Sequence, residues 1–502
     1  MKSRSKKALY NGVAGITAEI CLIICGLILP RIILSTFGSK YNGITQSITQ
    51  FLSFMTLFRA GVSAVTKAAL YKPLANHDNL TISRIIRATE IFMRKVALLF
   101  VAGLTILAIV YPLLVSKEFE LLFAATLVLI IGFSTFAQYY FGITYQMLLE
   151  ADQCQYIVSI LSATTTVVNV IIAAILIKLG FGIHGVKMGS AIVFALNPVA
   201  VNIIVRKKYK IRKNVEPDNS AIKQRWDAFA QQVAMLIRDN TDIVILTIVA
   251  NTLEVSVYTV YFMVIKAITG MIRAFTNGIG AAFGNMMAKN ETDALQKNLK
   301  LYEFLIYSLC TTLYSSTCVL VTPFVLVYTS GVHDVDYNRP LFGYIMAFAY
   351  VFFCIRIPYQ NIVEVAGHFK QTKKSSYIEA GINLGTSVIL SINFGIVGVA
   401  IGTLLAMVFR TFHYAYYVSK NLIHRNFSQF IFRLISYLAT MGIVITFFFF
   451  VKLPTADSYL TWLINAIIVF VVSFIATFTV DMIFFREQVF LFKEKLLGLR
   501  KK

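Results

Sequence analysis

Fourteen long apolar stretches follow one another along this 502-residue chain. Most of them reach the roughly 20 helical residues that cross the hydrocarbon core of a bilayer. Charged residues make up only 14% of the chain, against about 25% in an ordinary soluble domain. Long apolar runs are typical of membrane helices, whereas barrel strands are short and alternating. The predicted spans are 8–30, 42–70, 96–115, 121–148, 156–178, 184–204, 226–249, 256–286, 301–329, 340–365, 376–392, 396–418, 430–452 and 459–484.

The basic residues indicate how these spans are oriented. The chain holds 46 Lys and Arg against 24 Asp and Glu, a formal net charge of +22. Of the 46, 32 lie in the termini and alternate connections and 6 in the opposite connections. Cytoplasmic connections carry the excess of Lys and Arg, so both termini are predicted to be cytoplasmic and the span count even. This distribution explains the charge without nucleic-acid binding, which needs a basic face in water.

An internal repeat divides the spans into two sets. The matching positions lie 213 or 214 residues apart and pair 181–189 with 394–402, Tyr145 with Tyr359, Gln146 with Gln360, Glu150 with Glu364 and Arg59 with Arg273. This offset relates spans 1–6 to spans 7–12, and an even number of spans gives both sets the same orientation. Parallel repeats of this kind carry the substrate path between them. The predicted domains are two six-helix bundles, 1–215 and 216–425, and a part with two further helices, 426–502.

Several short segments resemble a known transporter family. They are the first hairpin, 37–44 (FGSKYNGI), the segments 57–65 (LFRAGVSAV) and 71–74 (YKPL), and the glycine turns within 181–189 and 394–402. With the plan of six, six and two spans, they resemble Wzx-type polysaccharide flippases of the multidrug/oligosaccharidyl-lipid/polysaccharide exporter superfamily. The resemblance covers nearly the whole chain.

The resemblance implies a fold and a function. The fold is two six-helix bundles around a central cavity that opens alternately to each side of the bacterial cytoplasmic membrane. The substrate is an undecaprenyl-pyrophosphate-linked oligosaccharide repeat unit that crosses the lipid bilayer, for capsule, O-antigen or exopolysaccharide synthesis. Expected partners are a polysaccharide polymerase and glycosyltransferases, with no cofactor and no nucleic acid.

Charges inside the spans are candidates for function, because each costs roughly 2.5–3.5 kcal/mol at the bilayer centre on insertion scales. Basic residues outnumber acidic ones there, which predicts a positive interior. The basic candidates are Arg59, Lys67, Lys187, Arg238, Lys266, Arg273, Arg356 and Arg410, and the acidic candidates are Glu19, Asp239, Asp242, Glu364 and Asp481.

Arg59 and Arg273 are the strongest candidates for substrate binding, because they are mates in the internal repeat. Helical spacing places Lys266 on the same face as Arg273. Guanidinium groups bind phosphate oxygens in a bidentate fork, so this set predicts an anionic cargo. The alternative is structural, in which these side chains snorkel to the interface or pair with Glu19 or Asp242.

Arg238 and Asp242 lie four residues apart on span 7, where they predict either a local ion pair or separate roles. In the second case Arg238 contributes to substrate binding and Asp242 is an ion-coupling site, with Glu19 as a similar candidate. Snorkelling is the preferred interpretation for Lys67, Lys187 and Arg410, which lie near span ends. Arg356 is expected to pair with Glu364.

Two rival function classes remain. A multidrug exporter of the same superfamily binds cations and needs an acidic cavity, and a flippase for a cell-wall lipid precursor shares the pyrophosphate chemistry. An enzyme such as a membrane glycosyltransferase needs an exterior domain, but the longest exterior connection, 330–339, is about ten residues. The six cysteines have no metal-site spacing, so no metal site is predicted.

Overall fold

The computed structural model describes residues 4–55, 57–212, 214–220, 241–276, 283, 286–287 and 291–499. Within these ranges the side chains of 4–9, 12, 55, 57–61, 64, 274, 369 and 495–499 are not described. All regular secondary structure in the described ranges is helical. The bilayer core offers no hydrogen-bond partners to backbone N–H and C=O groups, whereas a helix pairs these groups within itself.

The chain divides into two compact units, Met1–Ser256 and Val257–Lys502. In the first unit, Gly38 separates the first two helices in a left-handed backbone conformation (φ 88°) that glycine adopts readily. A five-residue π-helix, Gln138–Gly142, interrupts the fourth predicted span. The helices of this unit are α1 (Arg4–Phe37), α2 (Ser39–Met55), α3 (Leu57–Ala75), α4 (Asn79–Leu114), α5 (Leu121–Ala137), α6 (Ile143–Ala151), α7 (Gln155–Lys178) and α8 (Ile183–Lys208).

The next helix, α9 (Thr252–Thr276), begins in the first unit and continues into the second. The other helices of the second unit are α10 (Thr292–Tyr328), α11 (Pro340–Ile355), α12 (Ile357–Val365), α13 (Phe369–Asn421), α14 (Ser428–Phe450), α15 (Tyr459–Phe484) and α16 (Arg486–Leu499). Helix α13 contains a kink at Gly395, whose φ of 53° is not helical.

The prediction of an all-α polytopic membrane protein is confirmed. Eleven helical stretches among the described residues are long and apolar enough to cross a membrane. One of them, Lys370–Asn421, covers two predicted spans that meet at Gly395, the kink in α13. Helices α2 and α3 together cover the second predicted span. Of the seventh, 226–249, only 241–249 is described, and those residues are helical.

The internal repeat is visible in local structure. Gln146 donates to the Glu150 carboxylate at 3.1 Å, and its repeat mate Gln360 donates to Glu364 at 2.7 Å. The spans that carry these pairs are also broken at matching places. The π-helix ends at Gly142, and α11 gives way to α12 at Arg356, 214 residues later. Spans 4 and 10 are therefore interrupted at matching positions of the sequence pattern.

Each unit has a buried apolar interior, but its exterior is apolar too. Leu122, Phe449 and Phe450 are each 76% exposed, and many other large apolar side chains on the long helices are exposed. A soluble protein does not tolerate so much exposed apolar surface, whereas the hydrocarbon of a bilayer does. The chain is a multi-pass membrane protein.

Candidate functional site

The predicted substrate-binding residues lie in both units. Arg59 belongs to α3 in the first unit, and its side chain is outside the description. Arg273 and Lys266 lie on α9 in the second unit, and both are exposed. Arg238 lies outside the described residues. The structure thus describes two of these four side chains.

Arg273 rests on an aromatic ring. Its guanidinium carbon lies 4.6 Å from the ring centre of Phe353, a buried residue of α11. No carboxylate among the described residues pairs with Arg273 or with Lys266. An aromatic ring offers no conventional hydrogen-bond acceptor, so the guanidinium keeps N–H groups that can donate to a ligand.

The two candidates for ion coupling differ in exposure. Glu19 lies on α1 with its side chain exposed, and no basic residue among those described pairs with it. Asp242 lies in the helical segment 241–249 and is half-buried. The pair that Asp242 was predicted to form with Arg238 stays a prediction, because Arg238 is not described.

The predicted partner of Arg356 is wrong. Arg356 is completely buried and donates to Glu379 on α13 at 2.6 Å, whereas Glu364 is exposed. The same Glu379 lies 3.4 Å from Nε of Arg410. Glu379 is the better partner because a buried guanidinium needs a carboxylate that is buried with it.

Snorkelling is likewise wrong for Arg410, which is 3% exposed. Besides Glu379, its guanidinium donates to the hydroxyls of Ser375, Ser376 and Tyr414, the last two at 2.7 Å. The carbonyl oxygen of Thr372 accepts a further hydrogen bond at 3.2 Å. These hydrogen bonds offset the cost of burying the charge away from water.

Lys67, a third residue expected to snorkel, forms an ion pair with Glu150 at 2.9 Å. The side chains are 31% and 17% exposed. Glu150 lies in the connection between predicted spans 4 and 5, 149–155, which has no basic residue of its own. The basic partner of Glu150 comes from α3. Lys67 and Glu150 are 83 positions apart in the chain, so only the tertiary structure brings them together.

A second buried ion cluster was missed by the sequence interpretation. Glu303 on α10 accepts from Arg433 on α14 at 2.6 Å and from Arg425, in the connection before α14, at 2.8 Å. All three side chains are less than 10% exposed. Both arginines are among the 32 basic residues assigned to the termini and the alternate connections, which are predicted to be cytoplasmic. The sequence signal that could have revealed the cluster is Glu303, a carboxylate near the start of the predicted span 301–329.

Residues related by the internal repeat also contact each other. The amide of Asn42 on α2 donates to the hydroxyl of Ser256 on α9 at 2.9 Å, and both side chains are buried. These two positions are 214 residues apart, which is the repeat offset. Nearby, the hydroxyls of Ser47 and Thr247 lie 2.7 Å apart.

Two further features hold this contact together. The Glu118 carboxylate accepts from the backbone N–H of Thr252 at 3.2 Å and from its hydroxyl, so it satisfies the first turn of α9. At Gly43 a Cβ would lie 1.7 Å from the carbonyl oxygen of Thr252. Only glycine permits this close approach of α2 to the start of α9.

No protein-family model matches the chain, and no curated protein sequence matches it significantly. Among solved structures, the chain is similar to a lipid II flippase MurJ in an inward closed conformation. That match has a TM-score of 0.69 and 14% identity, and it covers 95% of this chain and all of the other.

Two transporters of another kind are also similar. An inward-facing multidrug resistance MATE family transporter of the MOP superfamily matches with a TM-score of 0.61 and 13% identity, over 82% of this chain and 98% of its own. A mutant of the Vibrio cholerae MATE transporter VcmN matches with a TM-score of 0.59 and 16% identity, over 84% and 98%. At these identities the likeness concerns the fold. The chain therefore has the fold that the MurJ flippase and MATE transporters share.

Proposed function

We propose that this chain is a flippase that moves an undecaprenyl-pyrophosphate-linked oligosaccharide across the bacterial cytoplasmic membrane by alternating access. The observation that carries the proposal is the match to the MurJ flippase, which extends over 95% of this chain and all of the other. Both termini are proposed to be cytoplasmic, as the distribution of basic residues predicts.

The extent of the structural matches favours a lipid flippase over a multidrug exporter. The MATE chains are matched almost completely, yet they cover only 82–85% of this chain. Residues 426–502, which hold α14, α15 and α16, make up 77 of its 502 residues. The share of this chain that the MATE matches leave uncovered is about as large as residues 426–502. The MurJ match covers 95% of the chain and is long enough to include them.

The charges of the second unit support an anionic cargo. Glu379 faces two buried arginines, Arg356 and Arg410, and Arg273 lies on the adjoining ring of Phe353 without a carboxylate among the described residues. A cation such as Arg273 within a predicted span is unfavourable unless an opposite charge compensates it. A pyrophosphate group supplies the opposite charge, whereas a cationic drug adds to the repulsion.

Alternating access requires a contact that closes one side of the substrate path and later separates. We propose that Asn42 and Ser256 form that contact at the non-cytoplasmic end. The buried hydrogen bonds of Asn42 and Ser47 are short-range and lack charge, so they break and re-form at modest cost.

A flippase for the cell-wall lipid precursor is the second candidate, because the MurJ structure in the comparison is described as a lipid II flippase. Both candidates carry the same diphosphate on a polyprenyl chain and differ in the glycan. The experiment that separates them is depletion of the protein, followed by analysis of the lipid-linked saccharides on the two leaflets.

We expect depletion to leave an oligosaccharide repeat unit on the cytoplasmic leaflet while wall synthesis continues. Accumulation of the cell-wall precursor, with lysis, would favour the second candidate. An altered glycan linkage would instead indicate an enzyme, and an unchanged lipid pool would contradict both flippase proposals.

The proposed site is tested by Arg59→Ala and Arg273→Ala in a glycan-export complementation assay. Each is expected to lower export at least tenfold, because a charge-assisted bond to phosphate is lost. Arg339→Ala is the matched control, since Arg339 lies in an exterior connection beside Asp336, 3.8 Å away. Unchanged export in both test variants at normal protein levels would refute the site assignment. Lys266→Ala and Arg238→Ala extend the test to the other two candidates, and Asp242→Asn and Glu19→Gln to ion coupling.

A further inference from the structure

The ring of Phe353 lies against two guanidinium groups of different character. The guanidinium carbon of Arg356 lies 4.5 Å from the ring centre, and that of Arg273 lies 4.6 Å from it. The two carbons are therefore at most about 9 Å apart. Arg356 is completely buried and Arg273 is exposed. One aromatic side chain thus connects a buried cation to an accessible one.

The buried side of this arrangement is rigidly held. Arg356 donates to Glu379 at 2.6 Å, and Glu379 also lies 3.4 Å from Arg410. Arg410 is itself bonded to neighbouring hydroxyls of α13, such as that of Ser376 at 2.7 Å. Phe353, which is 5% exposed, therefore packs on a charged group that has little freedom to move.

Arg273, the exposed cation, is held by fewer contacts than Arg356. Among the described residues, its side chain makes one specific contact, with the ring of Phe353. A long flexible side chain loses conformational entropy when a ligand fixes it. A ring that already restrains the guanidinium lowers that loss, and because the ring is not a conventional hydrogen-bond acceptor, N–H donors remain for the ligand.

We propose that Phe353 is a positioning residue that presents Arg273 to the diphosphate of the substrate, with the Arg356–Glu379–Arg410 ion cluster fixing the ring from behind. This inference rests on the proposed function and adds to it a residue that carries no charge. Among the described residues, Glu379 pairs with both Arg356 and Arg410, and no carboxylate pairs with Arg273, whose charge a diphosphate would complement.

The test measures binding of undecaprenyl diphosphate to the purified full-length chain in nanodiscs. Cation–π contacts at exposed sites correspond to about a two- to fivefold change in affinity. Phe353→Leu removes the π face and is expected to weaken binding by that factor, whereas Phe353→Tyr retains the face and most of the affinity. Phe342→Leu is the matched control, because Phe342 is a fully buried phenylalanine of the same helix and no cation among the described residues lies over its ring.

A double-mutant cycle separates positioning from general destabilisation. In an Arg273→Gln background, Phe353→Leu is expected to cause no further loss of affinity, since the group it positions is gone. An equal loss in both backgrounds, or no loss in either, would overturn this inference while wild-type binding still upholds the proposed function. A wild-type chain that does not bind the probe would overturn both.

Discussion

Asn42 and Ser256 occupy equivalent positions in the two halves of an internal repeat, and their side chains are hydrogen-bonded to each other at 2.9 Å. Neither residue is charged or aromatic, and neither is a predicted site residue, although Asn42 lies in the hairpin segment 37–44. The contact is buried and is supported by the Ser47–Thr247 pair and by the close approach of Gly43 to Thr252. Under the proposed mechanism these residues separate and meet again in each transport cycle.

Cross-linking this pair is expected to stop transport. Asn42→Cys and Ser256→Cys, joined by a short reducible thiol cross-linker, would hold the contact closed. Export should fall to the level of a strain lacking the protein and recover after reduction. The two single variants treated with the same reagent are the controls. Full export by a cross-linked chain would show that this contact stays closed throughout the cycle.

Gly43→Ala is expected to weaken the same contact. The new Cβ would approach the Thr252 carbonyl oxygen within 1.7 Å, so α2 or the start of α9 must move. Overpacking of this kind costs about 1–3 kcal/mol. The measurement is the yield of the Asn42→Cys/Ser256→Cys cross-link, which should drop severalfold. Gly15→Ala is the control, because a Cβ at Gly15 meets no atom within 4 Å; equal yields in both backgrounds would contradict the prediction.

Glu379→Gln is expected to destabilise the second unit strongly. The change removes the carboxylate charge that Arg356 and Arg410 share, and breaking a buried ion pair in this way costs about 3–5 kcal/mol. Thermal unfolding of the purified chain in detergent should show a marked drop in midpoint. Glu364→Gln provides the comparison, because Glu364 is exposed and its bond is to Gln360. Similar midpoints for the two variants would mean that the buried pair contributes little.

Glu303→Gln is expected to loosen the connection between α13 and α14. Burial by itself lowers the pKa of Arg425, but the Glu303 carboxylate outweighs burial and holds that pKa above its usual value. Without that charge, Arg425 and Arg433 lose their shared partner, and the connection 422–427 should become a site of limited proteolysis. Glu291→Gln, on an exposed carboxylate at the start of α10, should leave the cleavage pattern unchanged. Protection of 422–427 in both variants would argue against an anchoring role for Glu303.

The spans themselves could be predicted from the sequence because hydropathy is a local property. A run of about 20 apolar residues is helical in a bilayer whatever surrounds it, since no other structure satisfies its backbone. The repeat was equally legible, because Gln146 and Glu150 recur as Gln360 and Glu364 with the same spacing, and both pairs form the same hydrogen bond.

The partners of the charged residues could not be predicted in this way. Spacing along one helix suggested that Arg356 pairs with Glu364, but the structure pairs it with Glu379, 23 residues away on another helix. From the sequence, Arg425 and Arg433 are basic residues of a connection that is predicted to be cytoplasmic. In the structure both donate to the buried Glu303, which lies more than 120 residues earlier in the chain. A one-dimensional pattern records which residues share a helix face, and it does not record which faces meet.

By itself, then, the sequence determined the helical membrane fold, the order of its spans and the repeat that relates them, because those follow from hydrophobicity and periodicity. Tertiary structure alone decided which charges are neutralised and which remain available. Arg356 and Arg410 form ion pairs with Glu379, while Arg273 contacts the uncharged ring of Phe353. The physical reason is that burying a charge requires a counter-charge in three dimensions, and packing determines which residues lie within reach of each other.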